Sequence, residues 1–289
     1  MGKRLVIYHG DCVDGFTAAW AIWHLCPGWR DAEYLAARYG DPPPDLRGVS
    51  EVLIVDFSYP RDVLMAMRER CRVRVLDHHK TAAADLDRLD DCVFDMERSG
   101  AGIAWDEYAT PTSLVNGQRP WLVNYVEDRD LWRFALPESR EINAFLRSQE
   151  FSFARWEELW AMDWVQAAAR GRGCLDHINA YVRAAIKHAY LCEMDRERFP
   201  IVNVTYESCS EVADALLDYN EDSENGMAGY YFRRGDGRIQ YGFRSRGRYD
   251  VAEFAKRFGG GGHQHAAGCV TDGFAHIRLG DLRSVPYGG

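Results

Sequence analysis

Apolar and polar positions in the first hundred residues follow two alternating periods. Residues 4–8, 51–57 and 72–76 are short apolar or β-branched runs closed by polar residues, and each predicts a strand. Between them Phe16, Ala19, Trp20 and Trp23 share one helical face, as do Val63, Leu64 and Met67. Strands alternating with helices predict a parallel sheet covered by helices. Asp41-Pro42-Pro43-Pro44 is a rigid connector before the second strand, and Ser99-Gly100-Ala101 predicts a capped helix start leading into 103–108. From 121 to about 194 the pattern is helical, with no convincing strand. A strand at 200–206, a helix at 212–220 and a hairpin of 229–233 with 238–244 around Gly235-Asp236-Gly237 follow. A last helix over 251–258 runs into four glycines. The expected fold is α/β: an N-terminal parallel sheet flanked by helices over 1–150, a helical connector over 151–198, and a smaller C-terminal α/β domain with a mixed sheet over 199–289.

Composition narrows the class. The chain has 289 residues, enough for one large or two modest cores, and its 47% hydrophobic and 27% charged residues suit a globular protein. The longest apolar run, 16–25, contains His24 and is stopped by Pro27, too short to cross a bilayer. The first residues run straight into a strand pattern without a signal-peptide core, so a cytoplasmic location and no membrane partner are expected. Eight cysteines lie singly, without zinc-knuckle spacing, and zinc held through cysteine is not expected. The net charge of −9 disfavours a coat on long nucleic acid. Between 228 and 268, however, eight Lys or Arg face three acids, a patch suited to a small anion or short oligonucleotide.

The chemistry-bearing residues gather at predicted strand ends. The first strand leads into His9-Gly10-Asp11-Cys12-Val13-Asp14-Gly15, the second ends at Asp56, and the third at Asp77-His78-His79. Ligands of parallel α/β sheets bind beyond the carboxyl ends of the strands. Carboxylates mixed with imidazoles suit manganese or a similar divalent ion, and so many anionic groups suit two ions. No Gly-x-Ser-x-Gly nucleophile or P-loop pattern is present. The glycines at 259–262 read first as a helix stop and flexible loop, with a loop whose N–H groups approach an anion as the alternative. Trp20, Trp23, Trp156 and Trp160 read as packing residues, and His24, His177, His188 and His276 show no acidic partner pattern.

Asp77-His78-His79, Asp56 and His9…Asp14-Gly15 together resemble the DHH phosphoesterase superfamily, which includes RecJ-type exonucleases, nanoRNases, cyclic-dinucleotide phosphodiesterases and family II pyrophosphatases. Gly259-Gly260-Gly261-Gly262-His263-Gln264-His265-Ala266-Ala267-Gly268, with Phe243-Arg244-Ser245 before it, resembles the DHH-associated C-terminal domain. The resemblance implies that His9 and Asp11 bind one ion, Asp14 and His78 the other, and that Asp56 bridges them. It places a further ligand in Asn124-Tyr125-Val126-Glu127-Asp128-Arg129-Asp130, where Asp128 is preferred to Asp130. Asp77 is expected to orient His78, and His79 to lie near the scissile phosphate. Arg244, Ser245, Gly260, Gly261, Gly262 and His263 are expected to hold substrate. Many family members separate the two acids of the first motif by one residue, whereas two separate Asp11 from Asp14, which makes Asp14 the firmer ligand. The implied function is a Mn2+-dependent phosphodiesterase or exonuclease, with Mg2+ or Co2+ as substitutes. It acts on short single-stranded oligonucleotides or linear dinucleotides through a hydroxide shared by two ions. The alternatives are a phosphatase on small nucleotides such as 3′-phosphoadenosine 5′-phosphate, a cyclic-dinucleotide phosphodiesterase, and a catalytically silent nucleotide-binding relative. A homodimer is compatible with this reading.

Overall fold

Leu5 and Ile7 face one side of the first strand and Val6 the other, and all three are buried. A strand apolar on both faces needs cover on both faces. In the computed structural model, which describes residues 2–113, 118–222 and 226–282, that cover is helical. The first unit, Met1–Leu175, contains β1 (Lys3–His9), α1 (Val13–Leu25), β2 (Glu33–Ala37), β3 (Val49–Val55), α2 (Arg61–Arg68), β4 (Arg72–Asp77), α3 (Lys80–Asp85), β5 (Cys92–Phe94) and α4 (Gly100–Tyr108). After these come α5 (Trp121–Asp130), α6 (Ser139–Arg147), α7 (Phe153–Trp160) and the start of α8 (Trp164–Ala185).

The sheet order is β2-β1-β3-β4-β5, and every pairing is parallel. One core joins Val6, Leu53, Val55 and Leu76 to Trp20, Trp105 and Trp156. The other joins Ile7, Val52, Ile54 and Val75 to Leu64 and Met67. Trp20 and Trp156 are fully buried, in accord with a packing role. Their indole N–H groups donate to Glu157 Oε1 and Thr17 Oγ1. His24, which shows no acidic partner in sequence, pairs with the same Glu157 at 2.7 Å, 133 residues away.

Ser99 caps α4, its Oγ accepting from Gly102 N at 3.2 Å, as the Ser-Gly-Ala reading predicts. The strands β2 and β5 are additions to the sequence reading. Both are short edge strands of five and three residues, held by pairing with one neighbour rather than by a strong apolar pattern.

The second unit, Asp176–Gly289, contains β6 (Tyr190–Met194), β7 (Glu197–Asn203), α9 (Cys209–Leu216), β8 (Met227–Arg233), β9 (Ile239–Ser245), α10 (Val251–Lys256), β10 (Gly261–His263), β11 (Ala266–Thr271) and β12 (Ile277–Asp281). Its sheet order is β10-β11-β9-β8-β7-β6-β12. It is mixed, as expected, because β7 and β8 run parallel while their neighbours are antiparallel. The expected hairpin is β8 with β9. The segment 190–194, read as helical, is instead a strand paired antiparallel with β7, and its alternating burial fits that pairing. Among the described residues no helix is long and apolar enough to cross a membrane.

Candidate metal centre

The order β2-β1-β3 means that the chain leaves β1 to one side for β2 and returns to the other side for β3. That reversal opens a crevice at the carboxyl ends of β1 and β3, the usual ligand position in such sheets. His9 ends β1 and Asp56 follows β3, so the two flank the crevice. Asp56 adopts a left-handed backbone, with φ 54°, while its N–H stays bonded to Leu76 O at 2.9 Å. A non-glycine residue in that region carries backbone strain, which concentrates at functional sites.

The Asp56 carboxylate reaches two imidazoles. Its Oδ1 lies 3.0 Å from His78 Nε2, and its Oδ2 lies 3.6 Å from His9 Nδ1. The same His78 Nε2 is 3.8 Å from Asp14 Oδ2 and 3.4 Å from Asp130 Oδ2. Asp14 also accepts from Gly100 N at 2.6 Å and Ala101 N at 3.1 Å. The start of α4 thereby orients that carboxylate through its unpaired N–H groups. Gly100 has to be glycine here, because a Cβ would overlap the Asp56 side chain and lie 2.8 Å from its Oδ1.

Electrostatics mark the cluster as over-supplied with buried charge. Burial, reinforced by Asp56 and Asp130, pushes the Asp14 pKa well above the usual carboxylate range. Burial also raises Asp130, against the opposing pull of His78. Asp56 moves the other way, because the hydrogen bond to His78 and the nearby imidazoles of His78 and His9 overcome its burial. Burial would lower both histidines, but their carboxylate neighbours raise His78 and His9 well above the ordinary value. Among the described residues no hydrogen bond reaches Asp56 Oδ2 or Asp130 Oδ2, although both atoms are buried. Buried oxygens ordinarily find a partner. A divalent cation would satisfy these lone pairs and relieve the repulsion, so the donor set fits one.

Close donor groups of the first unit include His9 with Cys12 and Asp56, Asp14 with His78 and Asp130, and Asp56 with Asp77 and His79. Three expectations therefore change. Asp11 is exposed and ion-paired with Arg38, with Nε 2.7 Å from Oδ2. Its left-handed φ of 56° turns it away and leaves Cys12 beside His9 and Asp56. Asp128 is buried on the far flank of α5, accepting from Ala135 N at 2.9 Å and Leu136 N at 3.2 Å. Asp130 takes the place expected of it. Helical phase explains the exchange: Asp130 shares a face with Glu127, which bonds to Ser99 N at 3.1 Å beside the site, whereas Asp128 is turned about 100° from Glu127. Asp77 orients His79 rather than the ring of His78. Its Oδ1 lies 2.7 Å from His79 Nδ1 and accepts from His78 N at 2.7 Å, while Ser58 Oγ donates to its Oδ2 at 2.6 Å.

Sequence reasoning named Asp130 only as the second choice to Asp128, and it did not bring Cys12, Ser58 or Gly100 to the site. For Cys12 a signal existed, because single-residue spacing to Asp14 falls on position 12.

In the second unit Arg244 pairs in register with Ala266, and Ala266 with His263. Arg244 and His263 therefore lie on one sheet face, roughly 9–10 Å apart across two strand spacings. Ser245 is buried, its Oγ donating to Tyr249 O at 2.8 Å and lying 3.1 Å from His265 Nδ1. The glycines also have local duties. Gly260 N donates to Ala255 O at 3.0 Å to close α10, and Gly262 has φ 140° with Ala266 O 2.6 Å from where a Cβ would stand. Much of the basic excess is neutralised locally: Arg246 pairs with Asp214 and Asp218, Arg257 with Asp195 and Glu197, and Lys256 with Glu253.

Residues 200–281 match the DHHA1 domain, and the ordered His9…Asp14, Asp56 and Asp77-His78-His79 set occupies the first unit. The chain belongs to the DHH phosphoesterase superfamily. An uncharacterized protein of Acanthamoeba polyphaga mimivirus is 30% identical over 307 aligned residues, covering 93% of this chain and 68% of the relative. Among solved structures the chain is similar to a pGpG-specific phosphodiesterase from Vibrio cholerae, at 12% identity, coverage of 93% and 92%, and a TM-score of 0.46. It is also similar to RecJ in complex with Mn2+ from Thermus thermophilus, at 17% identity, coverage of 94% and 50%, and a TM-score of 0.45.

Proposed function

We propose that this protein is a divalent-metal-dependent phosphodiesterase that releases nucleotides from short oligonucleotides or linear dinucleotides. The observation that carries the reading is Asp56, a buried carboxylate with one oxygen toward His78 and the other toward His9. His9, Asp14, Asp56, His78 and Asp130 would hold the ions. Divalent ions there supply charge neutralisation for phosphoryl oxygens and a water of lowered pKa. Asp77 fixes the tautomer and direction of the His79 ring, and His79 Nε2 exchanges a proton with the phosphoester. Arg244 and His263 hold an anionic part of the substrate, with residues 1–150 as the catalytic part, 151–198 as connector and 199–289 as the substrate-holding part. The acidic net charge of −9 favours a small substrate over long DNA.

The test is a panel of a linear dinucleotide, a longer single strand, a cyclic dinucleotide and 3′-phosphoadenosine 5′-phosphate, each with Mn2+ and with Mg2+. The linear dinucleotide is expected to turn over fastest, EDTA to abolish release and Mn2+ to restore it. Preference for the bisphosphorylated nucleoside would move the reading to a phosphatase. Full activity in Asp56→Ala or His78→Ala would remove its basis.

A further inference from the structure

We propose that Cys12 is a metal ligand and that the His9–Cys12–Asp56 group takes a thiophilic ion, zinc, while the Asp14–His78–Asp130 group takes Mn2+ or Mg2+. This rests on the metal reading above and assigns a different ion to each half of the site.

Three observations carry it. The donor atoms of His9, Cys12 and Asp56 lie within 4.8 Å of one another, and among the described residues Cys12 is the one cysteine in such a group of three. Asp56 is 1% exposed, and its Oδ2, the oxygen on the His9 side, accepts no hydrogen bond among the described residues. The other acid of this loop, Asp11, is committed to Arg38, so the loop presents sulfur to the crevice.

The chemistry of the two groups then separates them. Thiolate with imidazole suits zinc, while a carboxylate-rich set suits manganese or magnesium. Three protein donors with a fourth position left open is the arrangement of catalytic rather than structural zinc. On ligation the Cys12 thiol gives its proton to solvent, and no redox change is involved.

The test uses the full-length, metal-stripped protein and Co2+ as a spectroscopic stand-in for zinc. Co2+ is expected to produce d–d bands together with thiolate-to-cobalt charge-transfer absorption. In Cys12→Ser the charge-transfer absorption disappears while d–d bands remain. In Cys12→Asp, whose carboxylate has similar reach, calorimetric preference for Zn2+ over Mn2+ falls by at least the roughly 10–100-fold typical of perturbing a metal's outer partners. Wild-type d–d bands without charge transfer would overturn the role of Cys12 and leave the metal reading standing. Charge transfer that persists in Cys12→Ser would overturn it equally, since another cysteine would be the source. Absence of any Co2+ binding would overturn the metal reading, and this inference with it.

Discussion

His78 Nε2, at the end of β4, lies 3.0 Å from Asp56 Oδ1, just beyond the end of β3. Both side chains are almost wholly buried. A histidine–carboxylate pair closed off from water, with two further carboxylates within 4 Å of the same nitrogen, is costly unless a cation shares the charge. This contact joins two strands of the sheet to one candidate metal position, and its surroundings yield distinct tests.

Asp128 and Asp130 are two residues apart and should fail differently. Asp130→Asn is expected to weaken Mn2+ binding and to leave metal-free stability unchanged or raised, because it removes a buried like charge. Asp128→Asn should leave metal affinity intact and lower stability by about 1–3 kcal/mol through the lost charge-assisted bonds to Ala135 and Leu136. Calorimetric Mn2+ titration beside denaturant unfolding in EDTA separates the two. Equal Mn2+ affinity in both variants would remove Asp130 from the site.

Gly100→Ala would place a methyl group against Asp56. A cost of about 1–3 kcal/mol is expected from overpacking, together with weaker Mn2+ binding as Asp56 is displaced. Thermal unfolding with and without Mn2+ reads both. A normal Mn2+-induced rise in Tm would mean that Asp56 moves without consequence.

Asp77→Asn should split binding from turnover. The substitution leaves the donors around His78 Nε2 in place and weakens the hold on His79 Nδ1. Turnover should fall by roughly 10–100-fold with Mn2+ affinity nearly unchanged. An Mn2+ affinity that falls as steeply as turnover would assign Asp77 to holding the metal.

In the second unit His276 sits between two tyrosines, with Nε2 2.7 Å from Tyr190 Oη and Nδ1 2.7 Å from Tyr241 Oη. Burial lowers its pKa. The unfolded chain, with a value of about 6.5, therefore takes up the proton first as pH falls. The stability contributed by neutral His276 is present above that value and is lost as pH falls from it toward the lower folded value. Denaturant unfolding of metal-free protein should show this slope, and His276→Asn should flatten it. An unchanged slope in the variant would assign it to other groups.

Much of this protein is determined locally and is readable from the chain itself. The apolar runs of β1, β3 and β4 are buried on both faces, so composition and period suffice to place them. Strand ends then deliver His9, Asp56 and Asp77-His78-His79 to one edge because parallel strands share a direction. The Ser99 cap and the β8–β9 hairpin are equally local. The edge strands β2 and β5 are not, since their state depends on a neighbour distant in sequence.

Tertiary structure decided which member of each close pair faces the site. Asp130 rather than Asp128 follows from the rotation of α5 about its axis, which packing against α4 sets. Cys12 rather than Asp11 follows from a left-handed turn at Asp11 and from Arg38, which lies just after the unpredicted strand β2. Spacing along the chain selects residue types, but a side chain's direction depends on backbone dihedrals and partners that long-range packing alone supplies.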